Sequence, residues 1–317
     1  MLRTWITKWA FKSLLVVTLL APNCAQAITF ESIVVFGGSI SDSGNAFAVI
    51  KQANKPPYDE LDQFLIPTGP YAKGGHHFSN GPTWIEQFAR KFKLNRSVQP
   101  AFASSNRHAT NYAVGAARAR DEGMNVNMPD QVAAFLSDFD NIAPSDALYV
   151  IDFGGNDVRD ALLDPNPGLV IQEALNSIAA NLGLLYNAGA RKFLVVNVVD
   201  IGVIPSIRIL DSLFPGAAQA ASVLSQLFNS GLDNVLAFLG VLPGVEIAVL
   251  DVYATVNDLI SNPGDFDLTE VEQPCITPNV RPFTCKKPDK FLFWDGVHPT
   301  KAVHAIFAQQ AAEVLGQ

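Results

Sequence analysis

A histidine with a carboxylate three residues before it is the part of this sequence best suited to proton transfer. It lies in Phe293-Trp294-Asp295-Gly296-Val297-His298-Pro299-Thr300. That spacing lets Asp295 hold one tautomer of His298 and stabilise its imidazolium. Pro299 keeps the loop from joining the following helix early. Alone, the same residues read equally well as an Asp/Thr lead into a helix with an exposed histidine. The remaining histidines are less suggestive: His76 and His77 stand in a Gly-rich loop, His108 in a polar stretch before Asn111, and His304 inside the last expected helix.

A base of this kind needs a nucleophile, and Ser39 is the candidate. Its surroundings are Phe36-Gly37-Gly38-Ser39-Ile40-Ser41-Asp42-Ser43-Gly44-Asn45. Two glycines permit a sharp turn and leave little around the hydroxyl. A Gly-Gly-Ser turn by itself is more often structural than catalytic. It is not a Gly-x-Ser-x-Gly elbow, because Ser41 occupies the last position, nor a phosphate loop, because no lysine follows. Acyl transfer at such a serine also needs donors for an oxyanion. Asn156, in Phe153-Gly154-Gly155-Asn156-Asp157, can offer a side-chain amide. The small-residue turn Asn111-Tyr112-Ala113-Val114-Gly115-Ala116-Ala117 can offer a backbone N–H, and Ser39 its own.

The elements that must position these groups alternate in type. Strands are expected over Ser32–Phe36, Ala147–Phe153, Lys192–Val199 and Glu246–Val252, each a continuous apolar run. Helices are expected over Thr83–Phe92, Pro129–Phe139, Val170–Ala188, Ala217–Leu239 and Thr300–Leu315, the last capped by Thr300. Continuous strands separated by helices predict an α/β fold with a mostly parallel sheet covered on both faces, formed as one domain over residues 28–317. Ligands bind such sheets beyond the carboxyl ends of the strands. Ser39 and Asn156 follow two of those ends.

Composition bounds the setting. Of 317 residues, 49% are hydrophobic and 16% charged, which supplies a core and argues against extended disorder. The formal charge of −8 gives no basic footprint for nucleic acid and no cationic face for anionic lipid. Residues 1–27 read as a cleaved secretory signal: Arg3, Lys8 and Lys12 precede the apolar run Leu14–Ala21, and Ala25-Gln26-Ala27 offers small residues for cleavage. The apolar run is short of the roughly 20 residues a spanning helix needs. An uncleaved anchor is the alternative; lipidation at Cys24 is disfavoured by Asn23. Cleavage after Ala27 removes three cations, makes the mature chain more acidic, and implies a secreted or periplasmic protein. Outside the cytoplasm, Cys275 and Cys285 are expected to pair as one disulfide worth roughly 2–3 kcal/mol. No histidine has ligand spacing to both, which argues against a metal pair. The oligomeric state is not specified.

The segments around Ser39, Asn111–Ala117, Asn156 and His298, in that order, resemble the characteristic blocks of the GDSL lipase/esterase family, also called SGNH hydrolases. The stretches Phe78–Trp84, Asp200–Pro205, and Pro274-Cys275 leading into Phe291–Asp295 resemble its longer, lysophospholipase-like branch. The resemblance spans essentially the whole mature chain. It implies a flavodoxin-like three-layer α/β/α fold and hydrolysis of carboxylic esters through an acyl-enzyme, with no metal or other cofactor. Carried onto this chain, it makes Ser39 the nucleophile, His298 the base and Asp295 its orienting carboxylate. The oxyanion donors would be the N–H groups of Ser39 and Ala116 and the amide of Asn156.

Two positions depart from the family pattern. Gly38 stands where an Asp precedes the serine, removing a carboxylate expected to brace the turn, and Ala116 stands where the oxyanion glycine is expected. A methyl there can crowd the substrate or shift φ. The implied substrate is a small-molecule or lipid ester. The segment Ile201–Leu227, with Leu210, Leu213 and Phe214, can wall an acyl pocket or cover it, although the same residues also fit plain helix core. Two other functions use the same residues: an acyltransferase passing the acyl group to an alcohol, and a binding homologue silenced at Gly38 and Ala116. Retention of Ser39, Asn156, Asp295 and His298 counts against the second.

Overall fold

The computed structural model describes residues 27–104 and 106–317. The leader expected over residues 1–27 lies outside these residues, Ala27 apart. Chain order is β1 (Ser32–Gly37), α1 (Asn45–Ile50), α2 (Trp84–Lys91), α3 (Met128–Asp138), β2 (Ala147–Asp152), α4 (Gly155–Leu163), α5 (Pro167–Ala188), β3 (Lys192–Val196), α6 (Pro205–Leu213), α7 (Ala217–Gly240), β4 (Glu246–Leu250), α8 (Val252–Ser261) and α9 (Lys301–Val314).

The apolar runs of β1 and β2 are buried on both faces, as the successive residues Val35 and Phe36 in β1 and Tyr149 and Val150 in β2, all at 0% exposure, show. Water is excluded from both sides, and the strands pair in parallel in the order β1-β2-β3-β4. The register sets Val35 beside Val150, Val150 beside Leu194, and Leu194 beside Ala248. On the free side of β1 a further extended stretch runs alongside it. Val35 N–H donates to Thr110 O at 2.9 Å, Tyr112 N–H to Val35 O at 2.7 Å, and Val114 N–H to Gly37 O at 3.1 Å. β1 is therefore internal, flanked on both sides by later segments, and its carboxyl end is a topological switch point. Helices α2 and α9 pack together in one layer, while α3, α4, α5 and α7 form the other. The result is the expected three-layer α/β/α arrangement.

The long periodic helices and the strands stand where their patterns predicted. β3 and β4 end earlier than expected, at Val196 and Leu250, and Asn197, Val198, Val199 and Val252 beyond them line a cavity at this end of the sheet. The helices α1, α4, α6 and α8 were not anticipated; each is short, and α4 begins on the second glycine of a pair that reads as a turn. Gly154 has φ +116°, and a Cβ there would lie 2.3 Å from Phe228 Cζ. Only glycine permits that step from β2 into α4. At α9, Thr300 occupies the capping position, but its hydroxyl donates to Phe291 O instead; Lys301 N–H is satisfied by Asn80 Oδ1 at 2.7 Å.

The helix α5 is, among the described residues, the one long and apolar enough to cross a membrane. It buries Val170, Ile171, Ala174, Leu175 and Ile178 in the core of the fold.

Candidate active site

The turn that carries Ser39 is held from three directions. Gly37 exchanges hydrogen bonds with the Gln131 amide, donating to Oε1 at 2.9 Å and accepting from Nε2 at 3.0 Å. Gly38 N–H donates to Asp152 O at 3.1 Å, and Ser41 Oγ donates to Asp152 Oδ2 at 2.6 Å while accepting from Trp84 Nε1 at 2.9 Å. Asp42 is fully buried and accepts the N–H groups of Gly44, Asn45, Ala46 and Gly115. Burial pushes its pKa up to about 6, against the downward pull of those four donors. The brace missing at Gly38 is thus supplied by Asp42, Asp152 and Gln131. A Cβ at position 38 would meet nothing closer than Asn156 Nδ2 at 3.7 Å.

The Asp295–His298 loop is a tight antiparallel reversal in which Trp294 N–H donates to His298 O at 2.7 Å. Asp295 is fully buried. Its Oδ1 accepts the N–H groups of Val297 and His298, each at 2.8 Å. Its Oδ2 accepts Tyr71 Oη at 2.7 Å and lies 2.8 Å from His298 Nδ1. With Nδ1–H directed at Asp295, Nε2 is left as the acceptor for Ser39 Oγ, 2.8 Å away. Phe78 packs beside the imidazole, with ring centroids 5.2 Å apart.

A small separate core steadies this loop. Tyr58, Tyr71, Cys275, Ile276 and Trp294 pack together, and Cys275 is disulfide-bonded to Cys285 as expected. Cys275 N–H donates to Phe293 O and Ile276 N–H to Trp294 O, so the cross-linked hairpin pairs with the strand leading into Asp295. Burial, followed by the Asp295 charge, pushes the Tyr71 phenol well above its usual range, which keeps it a donor.

On the opposite side of Ser39, Asn156 opens the first turn of α4. Its Nδ2 donates to Ala117 O at 2.8 Å, leaving the second amide N–H for the cavity, and its Oδ1 accepts Arg159 Nη1 at 3.3 Å. Ala116 adopts φ +67°, the left-handed conformation that glycine takes at lower cost. The N–H groups on either side are spent, that of Gly115 on Asp42 Oδ2 and that of Ala117 on Val114 O. A Cβ on Gly115 would lie 2.2 Å from Phe78 Cε2, so any larger residue here must displace the Phe78 ring.

Ser39, His298, Ala116 and Asn156 open together onto a cavity of about 270 Å³ with largely apolar walls. From the segment expected to wall it, Ile201 and Ile204 do so. Leu213 and Phe214 are exposed and Leu210 packs on the core, so that expectation narrows to two residues. The rest of the apolar wall includes Val49, Ile66, Pro67 and Phe153. The other histidines lie elsewhere: His76 stacks on Phe47, His77 Nε2 is 2.9 Å from Glu86, His108 is exposed, and buried His304 accepts Trp84 N–H at Nδ1. Among the described residues no group of three His, Cys, Asp or Glu side chains is placed to hold a metal ion.

Tyr71, Gln131 and Arg159 were not among the residues the sequence marked. None carries a motif of its own: Arg159 comes to the site on the same helix as Asn156, whereas only long-range packing brings Tyr71 and Gln131 there.

Chemically, the arrangement can lower the cost of deprotonating a serine hydroxyl and hold an oxyanion beside it. A family model described as GDSL-like Lipase/Acylhydrolase matches residues 33–311. Curated relatives agree in kind. One GDSL esterase/lipase of Arabidopsis thaliana is 24% identical, covering 92% of this chain and 86% of its own length. Another from the same plant is 29% identical, covering 87% and 83% respectively.

Proposed function

The chain belongs to the GDSL-like lipase/acylhydrolase family and is a carboxylic ester hydrolase, and from that premise we propose that it works through an acyl-enzyme on Ser39. The observation that carries this reading is the relay from Ser39 Oγ to His298 Nε2 and from Nδ1 to Asp295, both steps 2.8 Å, at the mouth of an apolar cavity.

His298 Nε2 takes the Ser39 proton as Oγ attacks the ester carbonyl carbon. The charge that develops on the carbonyl oxygen is met by the N–H groups of Ser39 and Ala116 and by the free amide N–H of Asn156. Collapse breaks the ester C–O bond, and the imidazolium returns its proton to the departing alkoxide. Water then attacks the acyl-serine with His298 again as base, releasing the carboxylic acid. Asp295 orients the imidazole and stabilises the imidazolium. The apolar walls suit the hydrocarbon part of an acyl group.

The proposal includes export. A leader removed after Ala27 would leave Ile28, which is buried and whose N–H donates to Leu315 O at 3.0 Å, as the first residue of a domain spanning 28–317. A disulfide fits an oxidising compartment.

A fluorophosphonate probe tests the reading directly. The unmutated protein should be labelled at Ser39, and Ser39→Ala should not be. Failure of the folded, unmutated protein to label would overturn it. A panel of p-nitrophenyl esters of rising chain length should show turnover that falls about 10²- to 10³-fold in Asn156→Ala. Added alcohol acceptor with product analysis distinguishes transfer to water from transfer to an alcohol.

A further inference from the structure

Arg159 stands one turn after Asn156 on α4 and lines the cavity. Among the described residues its side chain hydrogen-bonds to a neutral acceptor, Asn156 Oδ1, at 3.3 Å. Among the described residues it forms no ion pair, whereas its neighbours Arg118 and Arg120 do. The carboxylates whose charge reaches it are Asp160, Asp62 and Asp295. All three are committed elsewhere. Asp160 is shared by Arg118 and Arg120. Asp62 Oδ1 accepts the N–H groups of Phe64 and Ile66 in its own loop. Asp295 is held by Tyr71, His298 and two backbone N–H groups.

Burial lowers the Arg159 pKa, and a guanidinium in this setting still keeps its proton. It has therefore given up part of its hydration with no carboxylate in direct contact, only the longer-range attraction of Asp160, Asp62 and Asp295, a costly state for a cation. Most of its five donors remain free to meet a ligand. The N-terminal end of α4, which opens at Gly155 on the same cavity, adds partial positive charge. The remaining walls are largely apolar, with Asp152 engaged by Ser41, and suit a hydrocarbon acyl chain, so a charged group would belong to the alcohol part of the ester.

We propose that Arg159 is an anion-binding subsite that receives a phosphate or carboxylate carried by the alcohol part of the substrate. This rests on the ester-hydrolase reading of the cavity. The natural substrate is then an anionic ester with an apolar acyl group, and Arg159 is its specificity-determining residue. A guanidinium fits either oxyanion bidentately.

Three esters with one acyl group test it: glycerol 1-butyrate, its 3-phosphate, and 3-(butyryloxy)propanoate. Butyrate release gives kcat/KM for the unmutated protein, Arg159→Met and Arg159→Lys. The unmutated protein should favour at least one charged ester over the neutral one. Arg159→Met should lower that charged-to-neutral ratio about 10- to 100-fold, as expected for loss of a charge-assisted hydrogen bond, and Lys should restore part of it. The two anionic arms tell phosphate from carboxylate. An unchanged ratio overturns the subsite, even if all three rates fall together, since that pattern marks a residue that only orients Asn156. Calorimetry with Ser39→Ala separates this result from the hydrolase reading. It should bind a charged ester more tightly than the neutral one, and Arg159→Met in that background should abolish the difference. No such preference overturns the subsite whether or not the unmutated protein turns esters over.

Discussion

Tyr71 donates a 2.7 Å hydrogen bond to Oδ2 of Asp295, 224 positions away in the chain. That oxygen also faces His298 Nδ1, so the phenol fixes the carboxylate from the side opposite the backbone donors to Oδ1. Because both partners are buried, the bond works without competition from water. Tyr71→Phe keeps the ring in its small core and removes only the hydroxyl. Under the proposed mechanism, kcat should fall about tenfold with KM within about twofold, since a hydrogen bond to a charged group is worth roughly 1.5–3 kcal/mol. Steady-state kinetics on a p-nitrophenyl ester reads this, and a change in KM alone would contradict the role given to Tyr71.

The adjacent positions 115 and 116 should respond in opposite ways. Ala116 bears the left-handed φ of +67°, a strain of roughly 1–2 kcal/mol that glycine relieves at some cost in chain entropy. Ala116→Gly should therefore raise stability to urea by about 0.5–1 kcal/mol while keeping activity. Gly115→Ala should cost at least tenfold in turnover, because its methyl would drive Phe78 off the His298 ring. Equal, small effects from both would show that this turn deforms freely.

Acid stability should depend on His304. It is buried, and desolvation lowers its pKa from 6.5 to about 3. The folded state holds it neutral, so between these values the unfolded state binds the extra proton. Stability is thus lost as pH falls below about 6.5 and levels off near the folded value, a loss of about 2–3 kcal/mol by pH 4.5. His304→Asn keeps an acceptor for Trp84 N–H and removes the titration. Urea unfolding at pH 7 and pH 4.5 should show a smaller difference for the variant than for the unmutated protein. An unchanged difference would place the acid sensitivity elsewhere. The His77–Glu86 pair acts in a window of its own. Its histidine pKa is raised, mainly by Glu86 against the pull of burial, and the glutamate pKa is lowered by His77. Its stabilisation is therefore fullest between about 4.5 and 6.5 and fades outside that range.

Loss of the Cys275–Cys285 bond should lower both stability and turnover. Closing a loop of this size contributes roughly 2–3 kcal/mol, and the same hairpin pairs with residues 293 and 294 ahead of Asp295. The Cys275→Ala/Cys285→Ala variant should lose that stability in urea and show reduced kcat at temperatures where it remains folded. Full turnover by the folded variant would confine the bond to a stability role.

Much of the fold was legible because burial leaves a periodic trace. The runs around Val35 and Val150 read as two-sided buried strands, and the long helix ending near Ala188 read from its apolar spacing. The short helices α4 and α6 left too few turns for such a trace, and the extended stretch at 110–114 pairs with β1 over too short a span to show a strand pattern.

The candidate site divides along the same line. Residue types and local spacing raised Asp295 with His298 as a candidate pair that read equally well as a helix entry, and the resemblance of the ordered blocks to a family brought Ser39, Asn156 and Ala116 in beside it. The amino-acid sequence by itself thus determined which groups are available and that their strands run parallel. Tertiary structure alone decided what each group faces. It braced the Gly38 turn with Asp42 and Asp152, aimed Tyr71 at Asp295, and turned the hydrogen bonds of Asp160, Asp62 and Asp295 away from Arg159. The physical reason is range: helix and strand preferences act over a few residues, whereas a hydrogen bond between residues 71 and 295 exists only after the sheet register and the disulfide-linked hairpin have set both ends in place.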